Sequence, residues 1–183
     1  MHNGEISSYG TNRRYLEMQG YHCTMQTDTE VIAYMADFLM RRHGLSVELA
    51  AQVMSPPLWT EIARATPELQ AVCTALRQVY SPLLVNGPFT VIIARQGEMI
   101  GLTDRIRLRP LTAAVYGSRL YIASEESAIR LICPQPQHVW TPVGGEPVLG
   151  RLGAPLEIKR SLAHAGLAFD WRMPTIAAVA REG

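Results

Sequence analysis

The stretch Phe89-Thr90-Val91-Ile92-Ile93-Ala94-Arg95-Gln96-Gly97-Glu98-Met99-Ile100-Gly101-Leu102-Thr103 decides the fold class of this 183-residue chain. Residues 89–94 form an apolar, β-branched run of the kind that makes a buried strand. Gln96-Gly97 turns the chain, and residues 99–103 return as a second strand. The pattern then repeats. Residues 111–116, a turn at Gly117-Ser118 and residues 119–123 read as another hairpin. A short helix over 125–132 ends before Pro134. Short strands at 139–142 and 147–149 flank Gly144-Gly145.

Upstream of the hairpins the period changes from two to 3.6. Thr11 is the expected N-cap of a helix to Met18, stopped at Gly20. Thr27-Asp28-Thr29-Glu30 fits the S/T-x-x-E capping box, and behind it Val31, Ile32, Met35, Phe38 and Leu39 share one face. Glu30, Asp37, Arg41 and Arg42 fall mainly on the other, and Gly44 is a natural stop. Ser46 caps a helix to Met54, broken by Pro56-Pro57, and a short helix follows over 58–65. Thr66-Pro67 opens a longer one as N-cap and N1. Its stripe of Leu69, Val72, Cys73, Leu76, Val79 and Tyr80 is expected to pack on a sheet. Helices first, then antiparallel hairpins and a small helix, define an α+β architecture. Periodicity weakens after Gly150. Two Ala-rich stretches, 161–168 and 175–180, lie on either side of Pro174.

Composition removes several function classes. A formal net charge of +1 offers no electrostatic basis for binding nucleic acid or an anionic membrane. No apolar run approaches the ~20 residues of a membrane span, and Met1-His2-Asn3-Gly4-Glu5 has no signal-peptide character. Three widely spaced cysteines without a C-x-x-C fit free thiols in a reducing, cytoplasmic setting. His2, His22, His43, His138 and His164 lack zinc-ligand spacing, so no metal site is expected.

Six segments stand in a recognisable order: Asn3-Gly4-Glu5, Thr27-Asp28-Thr29-Glu30, Asn86-Gly87-Pro88-Phe89, Gly101-Leu102-Thr103-Asp104-Arg105, Leu108-Arg109-Pro110-Leu111 and Ala123-Ser124-Glu125-Glu126. Together they resemble the class II glutamine amidotransferase domain over residues 2–149. The likeness is strongest to the stand-alone subunits of glutamate synthase and N-methylglutamate synthase type. It implies the N-terminal-nucleophile hydrolase fold, an αββα sandwich of antiparallel sheets. The domain would occupy residues 1–150, with 151–183 a tail of uncertain structure.

In that family a cysteine thiolate attacks the glutamine side-chain amide and ammonia is released. The resemblance implies that the Asn3 side-chain amide and the Gly4 backbone N–H form the oxyanion hole, and that Asp28 binds the substrate's α-ammonium. It implies no cofactor in this domain. Glutamine is the expected ligand, and a synthase subunit receiving ammonia is the expected partner in a hetero-oligomer. Relatives carry the nucleophilic cysteine, and usually an Arg for the substrate carboxylate, ahead of the Asn-Gly pair. His2 stands at residue 2, and no such Arg precedes Asn3. The expectation is a chain that starts inside the domain, without the nucleophile and several strands. The alternative reading is a non-catalytic glutamine-binding or scaffold subunit, or an inactive gene fragment.

Plainer roles stand beside these. Asn-Gly pairs are usually turns. Asp28 suits a helix start whether or not it meets a substrate. Asp104, Arg105 and Arg109 are expected to form an ion-pair network fixing the loop between two hairpins. Ser124 is expected to cap the helix behind it. Cys73 lies on an apolar helical face and reads as core. Cys23 sits near Asp28 but has no free α-amine to serve as its base.

Overall fold

The computed structural model describes residues 1–154. The Ala-rich stretches 161–168 and 175–180 lie outside the described residues. Seven strands are present among the described residues: β1 (His2–Gly4), β2 (Phe89–Arg95), β3 (Glu98–Thr103), β4 (Thr112–Tyr116), β5 (Arg119–Ala123), β6 (His138–Trp140) and β7 (Val148–Arg151). They form two antiparallel sheets, one of order β1-β2-β3-β7 and one of order β5-β4-β6. The β2–β3 hairpin is the centre of the first sheet, with Thr90 opposite Thr103 and Arg95 opposite Glu98. Strand β7 runs across residue 150.

Strand alternation assigns the faces. Phe89, Val91 and Leu102 are buried with Leu16, Val31, Ile32, Met35, Phe38 and Met54 in the core between the first sheet and the N-terminal helices. Burying each large apolar side chain of this kind contributes about 1.5–3 kcal/mol. The other face of the sheet carries Gly101 and Gly150, and small residues there admit the second sheet. A Cβ on Gly150 would lie 2.9 Å from Leu120 Cδ2, and one on Gly101 would lie 3.1 Å from Ile122 Cδ1. Val148 is buried here with Leu111 and Ala113. The far side of the second sheet packs Ala114, Tyr121 and Val139 on Ile129 and Cys133.

Six α-helices surround the sheets in the described residues: α1 (Tyr9–Met18), α2 (Asp28–Asp37), α3 (Val47–Met54), α4 (Trp59–Ile62), α5 (Pro67–Val79) and α6 (Glu126–Ile132). Helix α1 starts two residues before Thr11. Its N-cap Ser8 makes no capping bond, because the Ser8 hydroxyl accepts the Asn86 N–H at 2.9 Å instead. Buried Asn12 adds bonds to the carbonyls of Pro82 and Leu84. Together these tie α1 to the entry of β2.

The capping box of α2 is half formed. Thr27 Oγ1 accepts the Glu30 N–H at 3.2 Å. The Glu30 carboxylate does not reach back to the cap but accepts the N–H groups of Thr24 and Met25, at 3.0 and 2.9 Å. That work buries Glu30, which therefore leaves the solvent face expected of it. The helix continues as a wide π turn over Phe38–Arg42 before Gly44.

Ser46 and Thr66 cap α3 and α5 as their residue types predict. Helix α4 is shorter than the expected 58–65. The stripe on α5 departs from expectation. Of its residues only Cys73 is buried, and Val79 is 62% exposed. The sheet face is already filled by the first three helices, so α5 packs against α3 and α4. Ser124 does not cap α6. Glu125 holds the N-cap position and makes no side-chain cap bond.

Candidate functional site

The site grows from the edge of the first sheet. Met1 and Ile92 exchange both backbone hydrogen bonds, and the Glu5 N–H donates to Pro88 O at 2.9 Å. In an antiparallel ladder such pairs alternate with pairs that point their N–H groups away from the neighbour. Gly4 stands opposite Phe89 in one of the outward positions, so its N–H faces the open side of β1. Asn3, opposite Thr90, carries an exposed side chain beside it. Only glycine fits at position 4. Its φ is 149°, and a Cβ would meet Pro88 O at 2.0 Å. Gly87 is the counterpart across the corner, where a Cβ would meet Glu5 O at 2.4 Å.

Alternation turns His2 to the helix side of the strand. Its Nδ1 lies 3.3 Å from Asp28 Oδ1 and 3.4 Å from Thr29 Oγ1, at the first turn of α2. The His2 side chain is 2% exposed and that of Asp28 24%. The residue in contact with Asp28 is thus His2. Asn3 and Gly4 share its strand. Sequence reasoning missed His2 because a lone histidine has no motif. The available signal was position, one residue before Asn3 and on the opposite face.

The loop after β3 closes the neighbourhood. Asp104 is 3% exposed and anchors the loop. Its carboxylate accepts the N–H groups of Ile106, Leu108 and Arg109 at 3.1, 3.0 and 3.0 Å. The expected ion-pair network of Asp104, Arg105 and Arg109 is replaced by these backbone bonds. A carboxylate two to five residues from the N–H groups it collects needs no cation. Arg105 turns elsewhere and donates to Asn86 Oδ1 at 2.8 Å. Thr103 Oγ1 donates to Arg109 O at 2.7 Å, and Thr90 Oγ1 to Pro110 O at 3.1 Å, so the loop is stitched to the strand positions across from Asn3.

All three cysteines, Cys23, Cys73 and Cys133, are buried. Burial pushes the Cys23 thiol above its ordinary range, and Glu30 and Glu17 push it further. Burial does the same to Cys73. Thiolates are the nucleophilic form, so neither thiol is activated. A thiol reagent at pH 8 should modify the native chain at least about tenfold more slowly than the urea-unfolded chain. Rapid native modification traced to Cys23 by peptide mass would restore it as a nucleophile candidate. No group of three or more His, Cys, Asp or Glu poised for a metal occurs among the described residues. No helix among them is long and apolar enough to cross a membrane.

Comparison with known proteins finds one near relative and several distant ones. The chain is 57% identical over 152 residues to an uncharacterized protein of Archaeoglobus fulgidus, covering 83% of this chain and 40% of that one. It is 28% identical over 132 residues to amidophosphoribosyltransferase of Pyrococcus horikoshii, covering 72% of this chain and 23% of the relative. It is 27% identical over 182 residues to glutamine–fructose-6-phosphate aminotransferase of Escherichia coli, covering 93% and 24%. The structure of glutamine phosphoribosylpyrophosphate amidotransferase from Bacillus subtilis superimposes with a TM-score of 0.55 at 20% identity, over 87% of this chain and 29% of that chain. No protein-family model matches. The chain spans less than half the length of each of these relatives. The distant homology and the shared fold support the class II glutamine amidotransferase domain family.

Proposed function

We propose that residues 1–150 belong to a glutamine-hydrolysing domain of N-terminal-nucleophile type, with the αββα arrangement of that fold. Its ammonia passes to a glutamate-synthase-type partner in a hetero-oligomer. One observation carries the reading: the Asn3-Gly4 edge presents an outward backbone N–H beside an exposed side-chain amide, on the strand whose His2 touches Asp28.

The chemistry follows from those groups. Attack on the glutamine side-chain amide places negative charge on its carbonyl oxygen. Asn3 Nδ2 and the Gly4 N–H donate to that oxygen, and each such donor is worth about 3 kcal/mol in the transition state. Asp28 accepts the α-ammonium and holds the substrate in register, with His2 fixing the carboxylate from behind. Collapse of the tetrahedral species breaks the C–N bond and releases ammonia, and water then hydrolyses the acyl group. The nucleophile in this reading is a thiolate outside these 183 residues, since Cys23, Cys73 and Cys133 are buried.

That same burial favours a second reading, a non-catalytic glutamine-binding or scaffold subunit or an inactive fragment. Calorimetry with L-glutamine tests both. Saturable binding that weakens at least about tenfold in Asp28→Ala, and less in His2→Ala, supports the assigned roles. Binding unaffected by Asp28→Ala removes Asp28 from the site. Ammonia release by an assembly that contains both this domain and the nucleophilic thiol selects the enzyme, and glutamine binding without release by that same assembly selects the sensor.

A further inference from the structure

A second concave feature lies away from the Asn3-Gly4 edge. Helices α3, α4 and α5 meet the corners at Asn86 and Arg105 around a cleft of about 330 Å³. Its polar wall holds Gln52, Arg77, Asn86 and Arg105, and its lining includes no aspartate or glutamate. The Arg77 guanidinium stacks on the Trp59 ring, 4.0 Å from the ring centre. Arg77 Nη1 is buried and makes no hydrogen bond among the described residues. Arg105 Nη2 donates to the neutral acceptor Asn86 Oδ1.

Of the thirteen arginines among the described residues five are paired with a carboxylate, and what sets Arg77 and Arg105 apart from the other unpaired ones is that both line this one cleft. Arg13, Arg41, Arg95, Arg130 and Arg151 each meet a carboxylate. Arg77 and Arg105 meet none among the described residues. They are also close enough to repel. Burial first, and then Arg105, hold the Arg77 pKa below its ordinary value. Two guanidinium groups lining one cleft, one with a shielded donor left over, are costly unless an anion completes them. The planar fork of arginine suits the paired oxygens of phosphate and carboxylate.

We propose that this cleft is a binding site for a small metabolite carrying a phosphate or carboxylate group joined to an apolar or planar body. Arg77 and Arg105 hold the oxyanion. Trp59, 58% exposed, with Val53, Leu76 and Leu84, contacts the body. The volume lies at the small end of ligand pockets, which fits a single metabolite. The site is independent of the glutamine reading. It touches the same corner, since Asn86 stands two residues before Pro88, the carbonyl partner of Glu5.

Phenyl phosphate and benzoate, which share a body and differ in the oxyanion, are the probes. Each is titrated into the full chain by calorimetry while the Trp59 indole N–H resonance, assigned through Trp59→Phe, is followed by NMR. The expected result is saturable binding of at least one probe below about 10 mM with a shift of the Trp59 signal. Affinity should fall about tenfold in Arg77→Gln and again in Arg105→Gln, with Arg14→Gln unchanged. The tighter probe identifies the oxyanion class. Arg77→Lys keeps the charge and tests whether loss in Arg77→Gln is loss of recognition or of the Trp59 stack. Failure of both probes to bind the unmodified chain overturns the proposal, as does binding that survives both glutamine variants.

Discussion

Asp104→Ala should lower the stability of the chain by about 3 kcal/mol, and with it the thermal midpoint by about 6–12 °C. Charge-assisted bonds to backbone N–H groups contribute about 1.5–3 kcal/mol each, and Asp104 makes three of them. The full sum is not expected, because Ile106, Leu108 and Arg109 are exposed and water can replace part of the loss. Asp104→Asn makes the test sharper. One oxygen of the carboxylate serves Ile106 and Leu108 and the other serves Arg109. An amide keeps one acceptor and sets a donor against the remaining N–H, so the asparagine variant should lose roughly half as much. Equal stability of all three proteins by denaturant titration would show that the loop does not depend on this carboxylate.

The same residue shows where sequence reading stops. Asp104, Arg105 and Arg109 are adjacent charges of both signs, and adjacency invites an ion-pair reading. The geometry that decides is the backbone: Arg107 takes a positive φ of 56°, which curls the loop so that three N–H groups converge on Asp104. Nothing in residue type announces that curl. By contrast the β2–β3 hairpin, the caps at Ser46 and Thr66 and the apolar face of α2 were legible, because each depends on local chemistry or a fixed period. Glu30 and the stripe of α5 were misread for one shared reason. Their environment is set by what lies across the fold: the loop before α2 needs an acceptor, and the sheet is covered before α5 reaches it. At the candidate site, Asn3, Gly4 and Asp28 were read from motif order. His2 was not, since its contact with Asp28 depends on which way β1 faces the helix.

Gly4→Ala should do its damage at that strand and little elsewhere. A Cβ 2.0 Å from Pro88 O is inside any tolerable contact, and the obstacle is backbone, which cannot swing aside. The φ of 149° adds strain that an L-residue rarely accepts. The clash is relieved if β1 leaves β2. The cost is then bounded by the undocking of a three-residue strand, about 2–4 kcal/mol, and global unfolding is not expected. Amide exchange should therefore quicken at Asn3, Glu5 and Ile92, while Val31 to Leu39 in the helical core keep their protection. Glutamine affinity should fall by at least about tenfold with the strand, because His2 leaves Asp28 and the Gly4 N–H loses its direction. Asn3→Ala is the matched control: Asn3 is exposed, so stability and exchange should not change. In an assembly that hydrolyses glutamine, the same substitution should cost about 10²- to 10³-fold in turnover. Gly4→Ala with unchanged exchange would mean that β1 tolerates a side chain there. Asn3→Ala with unchanged turnover would mean that the oxyanion is held by other groups.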